Sequence, residues 1–261
     1  MIYIKTKKEI ELMKEGGSIL AGILKALGDL VVPGITTQDL ENEALKMIKN
    51  SGGRPAFKGY TPSGSYQPFP TALCTSINDE VVHAPAVPGR ILKTGDIVGI
   101  DVGMQYPAKN GMYTDTAITV PVGSISKGVK KLLDTTRESL DLAIAQVRPG
   151  NFLNDIGKAV QEHAESCGFS VVRDLVGHGV GRKVHEEPQV PNFAITKNTL
   201  ENIKLEPGMT LAIEPMINMG SYRVKSAEDG FTIKTSDGKL SAHFEHTIVV
   251  TLDGCMVLTK K

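Results

Sequence analysis

The sequence predicts a mixed α and β protein built from two similar halves. Three observations predict it: four stretches of helical periodicity, four short β-rich runs bounded by Gly, Pro or Asp, and an internal repeat that pairs the elements of one half with those of the other. Apolar residues at helical spacing place helices near 6–30, 36–51, 127–147 and 152–167. The segments 97–102, 116–122, 210–213 and 247–252 are too short and too β-rich for helices and read as strands. Residues 59–70, rich in Pro, Gly, Ser and Tyr, read as an irregular exposed loop.

The repeat comes in three parts. Pro33-Gly34, Asp39-Leu40 and Gly52 match Pro149-Gly150, Asp155-Ile156 and Gly168 at a constant offset of 116, and each copy opens a helix. The run Gly95 to Asp101 parallels Gly208 to Glu214 at an offset of 113, which makes Asp101 and Glu214 equivalent. Asp115-Thr116-Ala117-Ile118 aligns with Glu245-His246-Thr247-Ile248, a carboxylate again leading a β-rich run. If the halves pack about a pseudo-twofold axis, four carboxylates on two matched pairs of strands converge at the centre.

Composition narrows the function. With 261 residues and 41% apolar content the chain suits one domain spanning 1–261. Twenty-nine basic and twenty-nine acidic residues cancel, which argues against a nucleic-acid or acidic-membrane binder. Met1 to Glu9 carries no apolar core with a cleavage site, and no run approaches the ~18 apolar residues of a membrane span, so a cytoplasmic location is expected. Cys74, Cys167 and Cys255 lack C-x-x-C spacing and read as reduced thiols rather than a disulfide framework or zinc cluster.

Five residues then stand out as metal ligands: Asp101, Asp115, His178, Glu214 and Glu245. An acid ending an apolar strand, as Asp101 and Glu214 are expected to do, costs several kcal/mol if buried without compensation. Taken singly such an acid is commonly a cap or salt-bridge partner; the pairing across the repeat is what favours ligation. Asp115 and Glu245 are expected to begin strands, Glu245 between His243 and His246. His178 sits in Gly177-His178-Gly179-Val180-Gly181, where small neighbours leave the imidazole unobstructed. His185 follows seven residues later and His83 lies in Val81-Val82-His83-Ala84-Pro85; both suit a neighbouring acid, base or donor. Four carboxylates and one imidazole fit Mn, Fe, Co or Zn and leave the choice among them open. Two such ions would activate a water toward a polarised carbonyl, the chemistry of metal-assisted hydrolysis.

These segments, together with Cys74-Thr75-Ser76-Ile77-Asn78, His185-Glu186-Glu187-Pro188-Gln189-Val190-Pro191 and Glu206-Pro207-Gly208-Met209, resemble those of type I methionine aminopeptidases over nearly the whole chain. The resemblance implies the pita-bread α/β (α+β) fold: two αβ halves in pseudo-twofold repeat around a central antiparallel sheet, with a dinuclear metal site. It implies removal of the initiator methionine from newly made proteins whose second residue is small, by a monomer working close to the ribosome. By position, Asp101 and Asp115 would hold the first ion, Asp115 and Glu245 would bridge to the second, and His178 and Glu214 would complete it. Glu214 would also handle the proton of the attacking water, His185 the substrate carbonyl, and His83 the leaving nitrogen. Phe57, Tyr60, Cys74 and Phe231 would line the methionine pocket.

The sequence departs from that family at Phe57, where bacterial members often carry Cys, and at Val184, where Phe is common; the 59–70 loop and the stretch between Asp101 and Asp115 are longer. Thirty positions from Glu214 to Glu245 leave no room for the insert of type II members. The competing readings are an Xaa-Pro peptidase of the same fold and a non-catalytic binding protein on it.

Overall fold

A computed structural model describes residues 1–61, 67–196, 199 and 201–261. All four expected helices are present: α1 (Lys7–Asp29), α2 (Thr37–Asn50), α3 (Lys127–Ala145) and α4 (Leu153–Ser166). Helix α1 starts where Thr6 and Glu9 form a reciprocal cap, Glu9 accepting from the Thr6 amide at 2.8 Å. Its buried residues Met13, Gly16, Gly17, Leu20, Ile23, Leu24 and Leu27 follow the three-to-four spacing of one helix face. Gly16 and Gly17 let the chain come closer than any other residue could, since a Cβ on Gly17 would lie 2.4 Å from the Leu258 carbonyl oxygen. Leu20→Ala, at a fully buried position, is expected to cost about 2–5 kcal/mol.

The strands form an antiparallel sheet of nine members. Its path runs Arg54–Pro55, Ile97–Tyr106, Met112–Pro121, Glu245–Val250, Thr210–Ile213, Gly177–Gly179, Glu186–Val190. Leu73–Ile77 adds to the Ile97 strand and Cys255–Val257 to the Glu245 strand. Two smaller three-stranded sheets complete the β structure of the described residues. The sheet is symmetric in plan: the Met112 and Glu245 strands meet at the centre, the Ile97 and Thr210 strands flank them, and the Leu73 and Gly177 strands lie outside those.

The repeat is visible in the backbone. Gly34 and Gly150 have φ of 96° and 95°, Gly52 and Gly168 of 81° and 87°, Gly95 and Gly208 of 96° and 89°. The isolated bridge Thr36 to Ile91 recurs as Phe152 to Lys204. Helices α1 and α2 bury Leu20, Leu27, Leu40 and Ile48 against Val98, Ile100, Val102 and Met104 of the Ile97 strand. Helices α3 and α4 bury Leu132, Leu140, Ile156 and Val160 against Leu211, Ile213 and Ile248. Because side chains alternate along a strand, filling one face with these apolar residues turns Asp101 to the other.

Two expectations change. The strands expected at 97–102 and 116–122 are the arms of one long hairpin, Ile97–Tyr106 and Met112–Pro121, so Asp101 and Asp115 lie inside strands rather than at an end and a beginning. Gly103 and Gln105 weaken the local β signal, and only the ten-residue register from Ile97↔Pro121 to Tyr106↔Met112 restores it. The expected 247–252 strand is Glu245–Val250, which does begin at the glutamate. The described part of the 59–70 loop contains neither helix nor strand; its residues 62–66 lie outside the described residues.

Candidate metal centre

The sheet register assembles the acids. Cys74 pairs with Asp101, Asp101 with Ala117, and Ala117 with Glu245, so these residues form one row across four strands. Asp115, two residues before Ala117, shares its face. On the far side Ile213 pairs with His246, placing Glu214 one residue past the end of the Thr210 strand, and His178 pairs with Ala212. Threonines tie the central pair together: the Thr247 hydroxyl receives the Asp115 amide at 2.9 Å, and the Thr116 hydroxyl donates to the Glu245 carbonyl at 2.8 Å.

Ligating atoms of Asp115, His178 and Glu245 lie within 4.8 Å of one another. Glu214 reaches toward the same place, one carboxylate oxygen 3.6 Å from His178 Nε2 and the other 3.7 Å from His243 Nε2. His178 Nδ1 donates to its neighbour Gly179's carbonyl at 2.9 Å, so in the neutral ring Nε2 carries its lone pair toward Glu214. Burial holds His178 in that neutral form, its pKa lowered to about 4.

The acids are in a state that a cation would relieve. Burial, then the charges of Asp115 and Glu214, push Asp101 well above the usual carboxylate range. Glu214 and Glu245 are raised well above it by burial first and neighbouring carboxylates second. Burial raises Asp115 to about 7 despite hydrogen bonds that pull the other way. Asp101 Oδ1 and His243 Nε2 are buried with no hydrogen-bond partner. Buried acids facing one another and facing an imidazole lone pair hold more acceptors than the donors around them serve, and divalent cations satisfy that inventory. The residues present fit a metal.

The centre opens into a cavity of about 700 Å³ bordered by all the candidate ligands, accessory histidines and pocket residues named from the sequence: Phe57, Tyr60, Cys74, His83, Asp101, Asp115, His178, His185, Glu214, Phe231 and Glu245. Its apolar wall is formed by Phe57, Tyr60, Phe69, Cys74 and Phe231, backed by Ala56 and Val184 of the same cluster. Phe69 meets Phe231 edge to face, centroids 5.4 Å apart. His185 Nδ1 lies 2.8 Å from the Tyr60 hydroxyl, and its ring stands edge-on to His178 with centroids 4.4 Å apart. His83 follows the strand Glu80–Val82 at φ 62°, a left-handed backbone that turns it to the cavity.

Sequence reasoning missed Phe69, Met216, Tyr3 and Lys183 on this cavity. Phe69 lies in the segment read as loop, where an aromatic beside two prolines was the available signal. Tyr3 and Met216 carried none. His246, flagged beside Glu245, turns instead to the Thr259 hydroxyl at 3.0 Å, as strand alternation requires.

A curled antiparallel sheet carrying a carboxylate-rich centre beneath an apolar cavity defines a metal-dependent hydrolase. The profile of metallopeptidase family M24 matches residues 11–252, and the chain belongs to that family. Within it the chain is similar to methionine aminopeptidases. The Clostridium perfringens methionine aminopeptidase is 47% identical over 99% of each chain, and methionine aminopeptidase 1 of Bacillus subtilis is 44% identical over the full length of both. The crystal structure of methionine aminopeptidase from Thermotoga maritima superposes with a TM-score of 0.92 at 46% identity, covering 100% of both chains. The prolidase from Pyrococcus horikoshii shares the fold, with a TM-score of 0.75 at 21% identity over 99% of this chain and 63% of that one. Among the described residues no helix is long and apolar enough to cross a membrane.

Proposed function

We propose that this chain removes the amino-terminal methionine from newly made proteins, preferring a small second residue, as a single catalytic domain over 1–261. The observation that carries the reading is the junction of the acidic centre with an apolar wall of Phe57, Tyr60, Cys74 and Phe231. A thioether side chain suits such a wall, where polarisable sulfur meets ring edges. One methionine side chain against that wall would place the scissile bond after the first residue, and the reading is therefore of an exopeptidase.

Asp101, Asp115, His178, Glu214 and Glu245 would hold two divalent ions, of Co, Mn, Fe or Zn. Bound there, the ions would supply Lewis-acid chemistry, acidifying a water and polarising the substrate carbonyl. Glu214, at the edge of the centre and between two imidazoles, accepts the proton of the attacking water. His185, held against Tyr60, donates to the carbonyl oxygen as it gains charge. His83, at the cavity mouth, assists the leaving nitrogen. The reading extends to a monomer acting in the cytoplasm, near the ribosome where its substrates emerge.

The test is methionine release from peptides beginning Met-Ala, Met-Leu and Ala-Pro, with metal-free protein reconstituted separately with Mn, Fe, Co and Zn. Metal-dependent cleavage of Met-Ala with little of Met-Leu is expected. Cleavage of Ala-Pro instead would move the activity to proline-directed peptides, and no cleavage with any ion would leave a binding protein.

A further inference from the structure

Outside the metal centre, and among the described residues, Lys5 and Glu186 form a fully buried ion pair that the reaction does not use. Lys5 and Glu186 meet through Nζ and Oε2, with side chains 1% and 0% exposed. Glu186 spends its other oxygen on the turn before it, accepting from the Arg182 amide at 2.6 Å and the Lys183 amide at 2.8 Å. Val184 and His185 are the two residues between those amides and Glu186, and His185 directly precedes Glu186. Lys5 is itself fixed, its amide donating to the Gly208 carbonyl at 2.8 Å and its ammonium to the Tyr3 carbonyl at 3.2 Å. The contact is close enough that a Cβ on Gly181 would lie 2.5 Å from Lys5 Cε.

A second, exposed tie runs parallel to the first. The Arg182 guanidinium reaches Glu9 at 2.7 and 3.2 Å and lies over the Tyr3 ring, 5.0 Å from its centroid. The segment before α1 is therefore strapped to the His185 turn at two points.

A buried ion pair is a poor source of stability, because desolvation consumes most of the attraction and an apolar pair of the same shape often does as well. What it does supply is direction: a carboxylate with one oxygen on a fixed ammonium and the other on two amides has a single orientation. We infer that Lys5 and Glu186 are positioning residues for His185, with the amino-terminal strap setting where its imidazole stands relative to Tyr60 and His178. The strap thereby acts as part of the active-site wall, to which Tyr3 also contributes.

The kinetic arm of the test rests on the peptidase reading; a spectroscopic arm does not. Lys5→Met leaves Glu186 buried without its cation, whereas Lys5→Met with Glu186→Gln removes both charges and keeps an acceptor for the two amides. The double variant is expected to regain the wild-type melting temperature while kcat on a Met-Ala peptide stays down by about 100-fold, with KM and metal content unchanged, since a displacement near 1 Å costs that much. Added to His185→Ala, the same pair of changes is expected to lower kcat no further. In metal-free protein with 15N-labelled histidine, the His185 ring signals are expected to shift in the double variant while those of His163 do not. Recovery of kcat together with stability, full additivity with His185→Ala, or unmoved His185 signals would each overturn the inference. Should the wild type release no methionine at all, the peptidase reading falls and the His185 signals alone decide this one.

Discussion

The two halves of the sheet share a backbone and differ in what their outer strands carry. Both present an acid at the flanking strand, Asp101 within it or Glu214 one residue past its end, and an acid on the central strand, Asp115 or Glu245. Beyond those, the first half offers Cys74 and the second His178. The thiol faces an apolar wall and is pushed well above its ordinary range by burial and by the charges of Asp101 and Asp115. The imidazole is kept neutral and turned toward Glu214. Symmetry repeats the buried acids in each half; its breaking at one position per half sets a thiol against the apolar wall on one side and a neutral imidazole beside Glu214 on the other.

The most severe way to break that comparison is to remove a shared acid. Asp115→Ala is expected to abolish turnover, measured as methionine release, while the metal-free variant melts no lower than the wild type because one member of a mutually repelling buried set has gone. Retained activity with normal metal content would refute the ligand assignment.

Removing the unshared residues separates the halves. His178→Ala is expected to weaken divalent-cation affinity, read by calorimetry with Mn, by more than the about 100-fold typical of losing an outer-shell partner. Cys74→Ala is expected to leave metal content intact and raise KM for Met-Ala about tenfold, the scale of a changed apolar contact. Equal effects of the two on metal content would erase the division.

Acidity sharpens the comparison further. A carboxyl group whose folded pKa is raised, as Asp115's is to about 7, favours the folded metal-free state fully below its ordinary value, and that contribution is lost as pH rises through 7. Cations must displace those protons, so apparent Mn affinity is expected to rise about tenfold per pH unit per proton released between pH 6 and 7. Titrations in buffers of different ionisation enthalpy count the protons; none released would contradict the raised values.

The smallest test concerns the backbone that the halves share. Gly34→Ala and Gly150→Ala each force a Cβ onto φ near +95° with nothing within 4 Å to clash. Each is expected to cost about 1–2 kcal/mol in urea unfolding, and the two costs should agree. A clear inequality would mean that the repeat is geometric but not energetic.

Much of this was legible in the chain because the repeat is written in residues with backbone consequences. Pro33-Gly34 and Pro149-Gly150 announced two helices, and both form with an acid reaching back to the cap: Asp39 to the Thr36 amide and Asp155 to the Phe152 amide. The five ligand candidates and both accessory histidines border one cavity. What stayed hidden depends on pairing partners far away in sequence. The short strands Leu73–Ile77 and Gly177–Gly179 carry little periodic signal of their own and exist because the Ile97 and Thr210 strands offer open edges. Lys5, on a polar segment, gave no hint that it is buried 181 positions away against Glu186.

The row Cys74, Asp101, Ala117, Glu245 has a consequence for how this protein can change. Strand side chains alternate, so a single residue inserted between the hairpin tip and Asp115 would turn every following side chain of that strand to the opposite face, taking Asp115 and Ala117 to the helix side. Residues added at the tip itself, 107–111, leave the ladder from Tyr106↔Met112 inward untouched. Length variation in a lineage of such chains is therefore channelled to the tip, and inside the arms it is confined to paired insertions that preserve parity.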